Sequence, residues 1–209
     1  MKLNEKQIQI LEIAENLFAE KGFEGASVRD IAENAGINIA MISYYFGSKE
    51  KLLEALFAYR FEDAAQKLEK LLQNKALSSM QKMEAMIDYY IDKFLQQRNF
   101  HKIMMREQVA NERSDISNLI SEYKKTNQQR VKKLIHEGQK SCSFHKNLDV
   151  PLLTATMVGT ISHVVATQHY YREINGLKDM PEEQFQKLLR RKISHYLKSL
   201  FKAILTNET

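Results

Sequence analysis

The sequence holds one cysteine, Cys142, and no tryptophan. A lone thiol cannot close a disulfide within the chain, so a disulfide-stapled secreted scaffold is excluded and a reducing compartment is expected. Two prolines and seven glycines in 209 residues are too few turn formers for a many-stranded β fold; they point to long helices. Also missing are a phosphate-cradling glycine loop and a nucleophile elbow, so no enzyme is expected. His136, Cys142 and His145 lack the fourth ligand that zinc normally takes and read as a solvated loop; no metal and no cofactor are expected. The first ten residues, MKLNEKQIQI, lack the apolar core of a signal peptide.

Long uncharged runs are absent with one exception. Residues 150–171 contain no Lys, Arg, Asp or Glu, yet they hold Thr154, Thr156, Thr160, Ser162, His163, Thr167, Gln168 and His169. That polar load is costly in lipid, and no second span accompanies it. The expectation is a single helix buried between protein surfaces, no membrane partner and a cytoplasmic location.

What is present is an ordinary folding composition, with 44% apolar and 27% charged residues and room for one medium domain or for a small domain plus a larger one. The net charge of +5 is unevenly spread: residues 1–50 carry five cations against eight acids, a net of −3, and the remainder +8. Bulk charge alone would put a polyanionic partner on the C-terminal part.

Helix signals start at once. Asn4 with Gln7 forms a capping-box pattern, and Ile10, Leu11, Ala14, Leu17 and Phe18 recur at helical spacing up to a stop at Gly22. Ser27 with Asp30 caps a short helix around Ile31, Ala32 and Ala35. Gly36 allows a tight turn, and Asn38 caps a second short helix, residues 39–46. Ser48 then caps a longer helix from Lys49. Two short helices about a glycine turn make a helix-turn-helix. Further helices are expected over residues 49–72, after Ser79, over 100–109, from Ser114, over the uncharged stretch, and from Pro181 onward.

Two stretches, Ile10-Leu11 through Ala14, Leu17-Phe18 and Lys21-Gly22-Phe23, and Ser27-Val28-Arg29-Asp30-Ile31-Ala32 through Ala35-Gly36-Ile37, Ile42 and Tyr45-Phe46-Gly47-Ser48-Lys49, closely resemble the TetR family of bacterial transcriptional regulators. The resemblance covers about the first quarter of the chain. It implies an all-α protein: an N-terminal three-helix DNA-binding domain, residues 1–50, followed by a larger helical effector-binding and dimerisation domain, residues 51–209. It implies a homodimer that holds double-stranded operator DNA and is released, as a repressor, by a small-molecule effector. The recognition helices of such a dimer must sit about 34–36 Å apart, one turn of DNA.

Carried over position by position, Asn38, Ile39, Ala40, Met41, Ser43, Tyr44 and Tyr45 match the recognition helix, with Ile42 and Phe46 turned inward. Ser27 and Arg29 match positions that touch the neighbouring backbone. Ser48 and Lys49 match a helix start that grips phosphate. The sequence departs from the family pattern in one respect: no Arg or Lys lies between residues 30 and 48, which removes the bidentate guanine contact. Thymine-methyl contacts, tyrosine hydroxyls and DNA shape remain as means of readout.

Candidate effector-pocket residues are Met86, Tyr90, Phe94, Met104, Met105, Tyr123 and His163, with core packing the plainer role of the Met and aromatic side chains. His101, Arg106 and Arg130 could meet a polar ligand group or serve as ordinary surface or interface residues. The dimer is expected as a four-helix bundle of residues 151–171 and 181–205, with Leu197 near its centre. The competing function is a helical protein–protein adaptor without DNA binding.

Overall fold

The computed structural model describes residues 3–110 and 114–206. Among the described residues ten helices follow one another: α1 (Glu5–Gly25), α2 (Val28–Asn34), α3 (Ile39–Phe46), α4 (Lys49–Leu72), α5 (Ser79–Gln96), α6 (Arg98–Ala110), α7 (Ser114–Lys140), α8 (Val150–Ala166), α9 (Gln168–Ile174) and α10 (Glu182–Thr206). No strand occurs among the described residues, so the protein is all-α.

The chain forms two compact units. The first comprises Met1–Ala65 and Asn99–Lys124. In it α1 opens on its capping box, Gln7 N donating to Asn4 Oδ1 at 2.8 Å and Asn4 N to Gln7 Oε1 at 3.0 Å. Gly22, at φ 77°, breaks the helix where the sequence placed its end, and one further turn runs to Gly25. The inner face of α1, with Ile10, Leu11, Ala14, Leu17 and Phe18, packs in one core with Ile31, Ile42, Phe57, Phe61, Phe100 and Ile103. Phe57, Phe61 and Phe100 meet edge to face with centroids 5.1–5.7 Å apart, and Tyr123 stacks on Phe61 at 4.0 Å. Arg106 donates to the carbonyls of Phe18 and Ala19 at 3.3 and 3.1 Å, satisfying acceptors just before the break in α1.

Glu15 is buried in this unit and paired with Arg60 at 2.7 Å. Burial pushes its carboxyl above the usual range, and the guanidinium opposes that shift.

The second unit comprises Gln66–Arg98 and Lys125–Thr209. Met83, Met86, Ile87, Tyr90, Ile91 and Phe94 of α5 meet Leu153, Met157, Ile161 and Val165 of α8 and the inner stripe of α10. A polar seam also joins α5 to α10. Arg190 grips Asp92 through two nitrogens at 2.5 and 2.8 Å, and Asp88 accepts from Ser194 at 2.6 Å and from Lys198. At Gly138 an added Cβ would lie 2.0 Å from the Phe144 ring, so the close approach of that ring requires glycine.

Two expectations are corrected. The uncharged stretch is two helices, α8 and α9, bent by 75° at Thr167. The Thr167 hydroxyl and N–H both donate to the His163 carbonyl, at 2.7 and 2.9 Å, a back-bonding pattern that bends helices. No single helix among the described residues is long and apolar enough to cross a membrane. Leu197 is not on an outer face. It is fully buried in its own unit's core with Phe185, Leu189, Ile193, Phe201 and Leu205, while its neighbour Tyr196 is exposed.

Candidate nucleic-acid interface

The helix-turn-helix corner is built from short-range hydrogen bonds. Asp30 N donates to Ser27 Oγ at 3.0 Å and Ser27 N to Asp30 Oδ2 at 3.2 Å, closing the capping box of α2. The Ser27 backbone N–H, helped by its hydroxyl and by Lys21, holds the Asp30 carboxyl below the usual range. Gly36 takes φ 61° in the turn, and Ile37 N donates to Ala32 O at 3.0 Å. The Asn38 side chain then accepts from Ala40 N at 2.8 Å and starts α3.

Ile42 and Phe46 point into the first core with Ala14, Phe18 and Ile31, which fixes the roll of α3 about its own axis. The opposite face is open. Tyr44 is 83% and Ile39 49% exposed, Ala40 and Ser43 are exposed, and Met41 is half-buried. Tyr45 is also half-buried. Its ring meets Tyr44 at 5.3 Å, and it lines a cleft of about 360 Å³ with Leu3, Tyr59 and Leu119.

Gly47, at φ 84°, turns the chain sharply into α4, where Ser48 Oγ accepts from Lys51 N at 3.2 Å. The Lys49 ammonium sits 4.3 Å over the Phe23 ring, which holds a cation beside the start of α4. Nothing in the sequence pattern announced this contact, because Phe23 is separated from Lys49 by two helices. Ser27 and Arg29 are exposed at the start of α2. Lys51 is engaged with Glu54 at 2.8 Å, which raises its pKa.

The effector-pocket candidates are not gathered in one place. Met86, Tyr90 and Phe94 lie buried in the second core, and Met104 and Tyr123 pack on the first. Met105 is 47% exposed and His163 is exposed. Arg106 is the brace on α1, and Arg130 is bound to Glu69 at 3.1 Å and to Asn127 at 3.0 Å.

The second unit carries two clefts of its own. One, of about 370 Å³, has Lys75, Lys82, Arg130 and Lys133 around Leu72 and Leu134, with Glu69 and Glu137 paired to Arg130 and Lys82. Arg130 is the main cause holding the Glu69 carboxyl below the usual range. The other, of about 610 Å³, is an apolar groove where Thr160 and Val164 of α8 face Ile193, His195 and Tyr196 of α10.

Residues 10–56, the corner just described, match the family described as bacterial regulatory proteins, tetR family. Residues 80–196 match the tetracyclin repressor-like C-terminal domain. The chain belongs to the TetR family. It is a ligand-responsive, DNA-binding transcriptional regulator of the repressor type. Among curated TetR-type relatives, the HTH-type regulator YttP of Bacillus subtilis is 28% identical over 97% of this chain and 96% of its own. The fatty acid metabolism regulator protein of the same organism is 26% identical over 78% of this chain and 82% of its own.

Solved structures share the fold. The fatty acid degradation regulator FadR of Bacillus halodurans superposes with a TM-score of 0.72 at 22% identity, over 95% of this chain and 97% of its own. FadR of Bacillus subtilis, solved with stearoyl-CoA, does so at 0.66 and 24%, over 92% and 97%.

Proposed function

We propose that this regulator works as a homodimer that represses by holding operator DNA through residues 1–50 and lets go when an acyl-CoA binds within residues 51–209. The outer face of α3 carries the first half of this reading. It is exposed and uncharged, and it is fixed in orientation by the burial of Ile42 and Phe46. In a recognition helix that face meets base edges, so Ile39, Ala40, Met41, Ser43, Tyr44 and Tyr45 would lie toward the major groove, with Asn38 at the helix start. Ser27 and Arg29 on one side and Ser48 and Lys49 on the other would flank it with phosphate contacts.

The effector class rests on charge and on relatives. The second unit carries twenty cations against eleven acids, and its basic cleft suits the phosphates of a coenzyme A thioester. The buried Met86, Tyr90 and Phe94 suit an acyl chain. A regulator of the same fold binds stearoyl-CoA. Self-association through the apolar groove of α8 and α10 would bury Tyr196 and Val164.

Fluorescence anisotropy on the protein's own upstream duplex tests both halves. Affinity should fall steeply with salt, and stearoyl-CoA, but not coenzyme A alone, should release the DNA. Salt-independent binding or no duplex binding overturns the operator reading; DNA complexes indifferent to stearoyl-CoA overturn the effector class.

A further inference from the structure

Direct reading of a base in the major groove has a small chemical vocabulary. Guanine is taken by Arg or Lys, adenine by the paired donor and acceptor of Asn or Gln, cytosine by a carboxylate, and thymine by apolar contact with its 5-methyl group. α3, residues Ile39–Phe46, contains no Arg, Lys, Asn, Gln, Asp or Glu. The polar groups at its two ends cap helices or flank the face rather than point from it. Asn38 Oδ1 caps the helix at Ala40 N, Ser48 Oγ caps α4 at Lys51 N, and Lys49 is held over Phe23. The hydroxyls of Ser43 and Tyr44 can each donate or accept, so one contact from either discriminates weakly among bases.

Ile39 is the exception. It is the first residue of α3, half exposed, and α3 is anchored in the first core by Ile42 and Phe46. The N-terminal residues of a recognition helix are those that approach base edges, and an isoleucine there can gain only by covering something apolar. The thymine methyl is the apolar group that the major groove offers.

Resting on the reading of α3 as the base-reading helix, we propose that the operator is selected chiefly through thymine 5-methyl groups covered by Ile39, with Ala40 beside it. The half-site is then rich in thymine where the start of α3 enters the groove. Guanine contributes little to affinity there.

The test removes the methyl and nothing else. Half-sites are selected from random duplexes with the full-length protein, and each thymine is then replaced singly by deoxyuridine. One or two replacements per half-site should weaken binding about three- to tenfold, the scale of one buried methyl, and the others should do little. At those positions 5-methylcytosine should bind better than cytosine, because its methyl occupies the same place. Ile39→Ala should lower affinity for the selected site and bring the thymine-to-deoxyuridine ratio close to one. Its melting temperature should stay near that of the parent, since Ile39 lies outside the core. A selected site bound equally well with every thymine replaced overturns the methyl proposal and leaves DNA binding standing. Failure to select any duplex overturns the operator reading itself.

Discussion

The two compact units differ in charge in a direction opposite to their tasks. The unit that carries the helix-turn-helix has eleven cations and fifteen acids, a net of −4, whereas the other carries +9. Bulk charge would send DNA to the wrong unit. On the proposed reading the first unit relies on a few local cations, Lys49 on the Phe23 ring at the start of α4 and Arg29 exposed on α2, beside helix ends whose amides favour an anion. Their cores differ as well. The first is organised around one contiguous ring cluster, Phe57, Phe61, Phe100 and Tyr123, and buries no methionine among the described residues. The second buries Met83, Met86 and Met157 among Tyr90, Phe94, Phe185 and Phe201, and the Asp88 and Asp92 seam laces α5 to α10.

The largest effect should separate the units. Phe100→Ala removes a fully buried ring from the first core and should cost about 3–5 kcal/mol. DNA binding should disappear while stearoyl-CoA binding, followed by calorimetry, persists. Loss of both together would mean that the contrast between the units has no functional meaning.

Next comes association. Tyr196→Glu puts a charge on the apolar groove and should give folded monomers by sedimentation. Leu197→Glu, one residue on, should instead unfold the second unit, since that side chain is wholly internal. A dimer that survives Tyr196→Glu places the interface elsewhere.

DNA contacts give smaller changes. Tyr44→Ala should lower the preference for the operator over random DNA by no more than about threefold, less than Ile39→Ala does, and leave the salt dependence alone. Lys49→Ala should weaken both DNAs alike and flatten the log–log salt slope by about 0.9 per lost phosphate contact. If the two variants behave the same, Tyr44 is not reading bases.

The smallest effect is in pH. The Glu15 carboxyl is raised in the folded state, so folding favours its protonated form. Its contribution is fully present below the unfolded carboxyl value and is lost as pH rises through the folded one. Relative to Glu15→Gln, the parent should therefore lose stability as pH climbs above the usual carboxylate range, read by denaturant melts. Asp30 and Glu69, both lowered, act with the opposite sign and weaken the fold as pH falls below about 4.

Much of the reading head was legible because its determinants are local. In the Asn4–Gln7 and Ser27–Asp30 boxes the partners are three residues apart, and Gly36 adopts the positive φ its turn position called for. The inward turn of Ile42 and Phe46 was implied by the family resemblance, and both are buried in the first core. Less legible was the extent of the compact unit around that head. It reaches residue 65 and takes in 99–124, through contacts such as Arg106 with Phe18 that are 88 residues apart. A cavity cannot be read from methionine spacing either, since Met86 and Met105 satisfy the same pattern, one buried and one exposed.

By itself the sequence determined the helical class, the caps and turns of the corner, and a second corner helix without a cation, because these depend on residue type and on hydrogen bonds three or four residues long. Tertiary structure decided that α6 and the start of α7 complete the first core, that Phe23 carries Lys49, that the uncharged stretch bends at Thr167, and that Leu197 faces inward with Tyr196 outward. An amphipathic helix specifies that it has an apolar face; which partner covers that face is set by how the whole chain buries its surface.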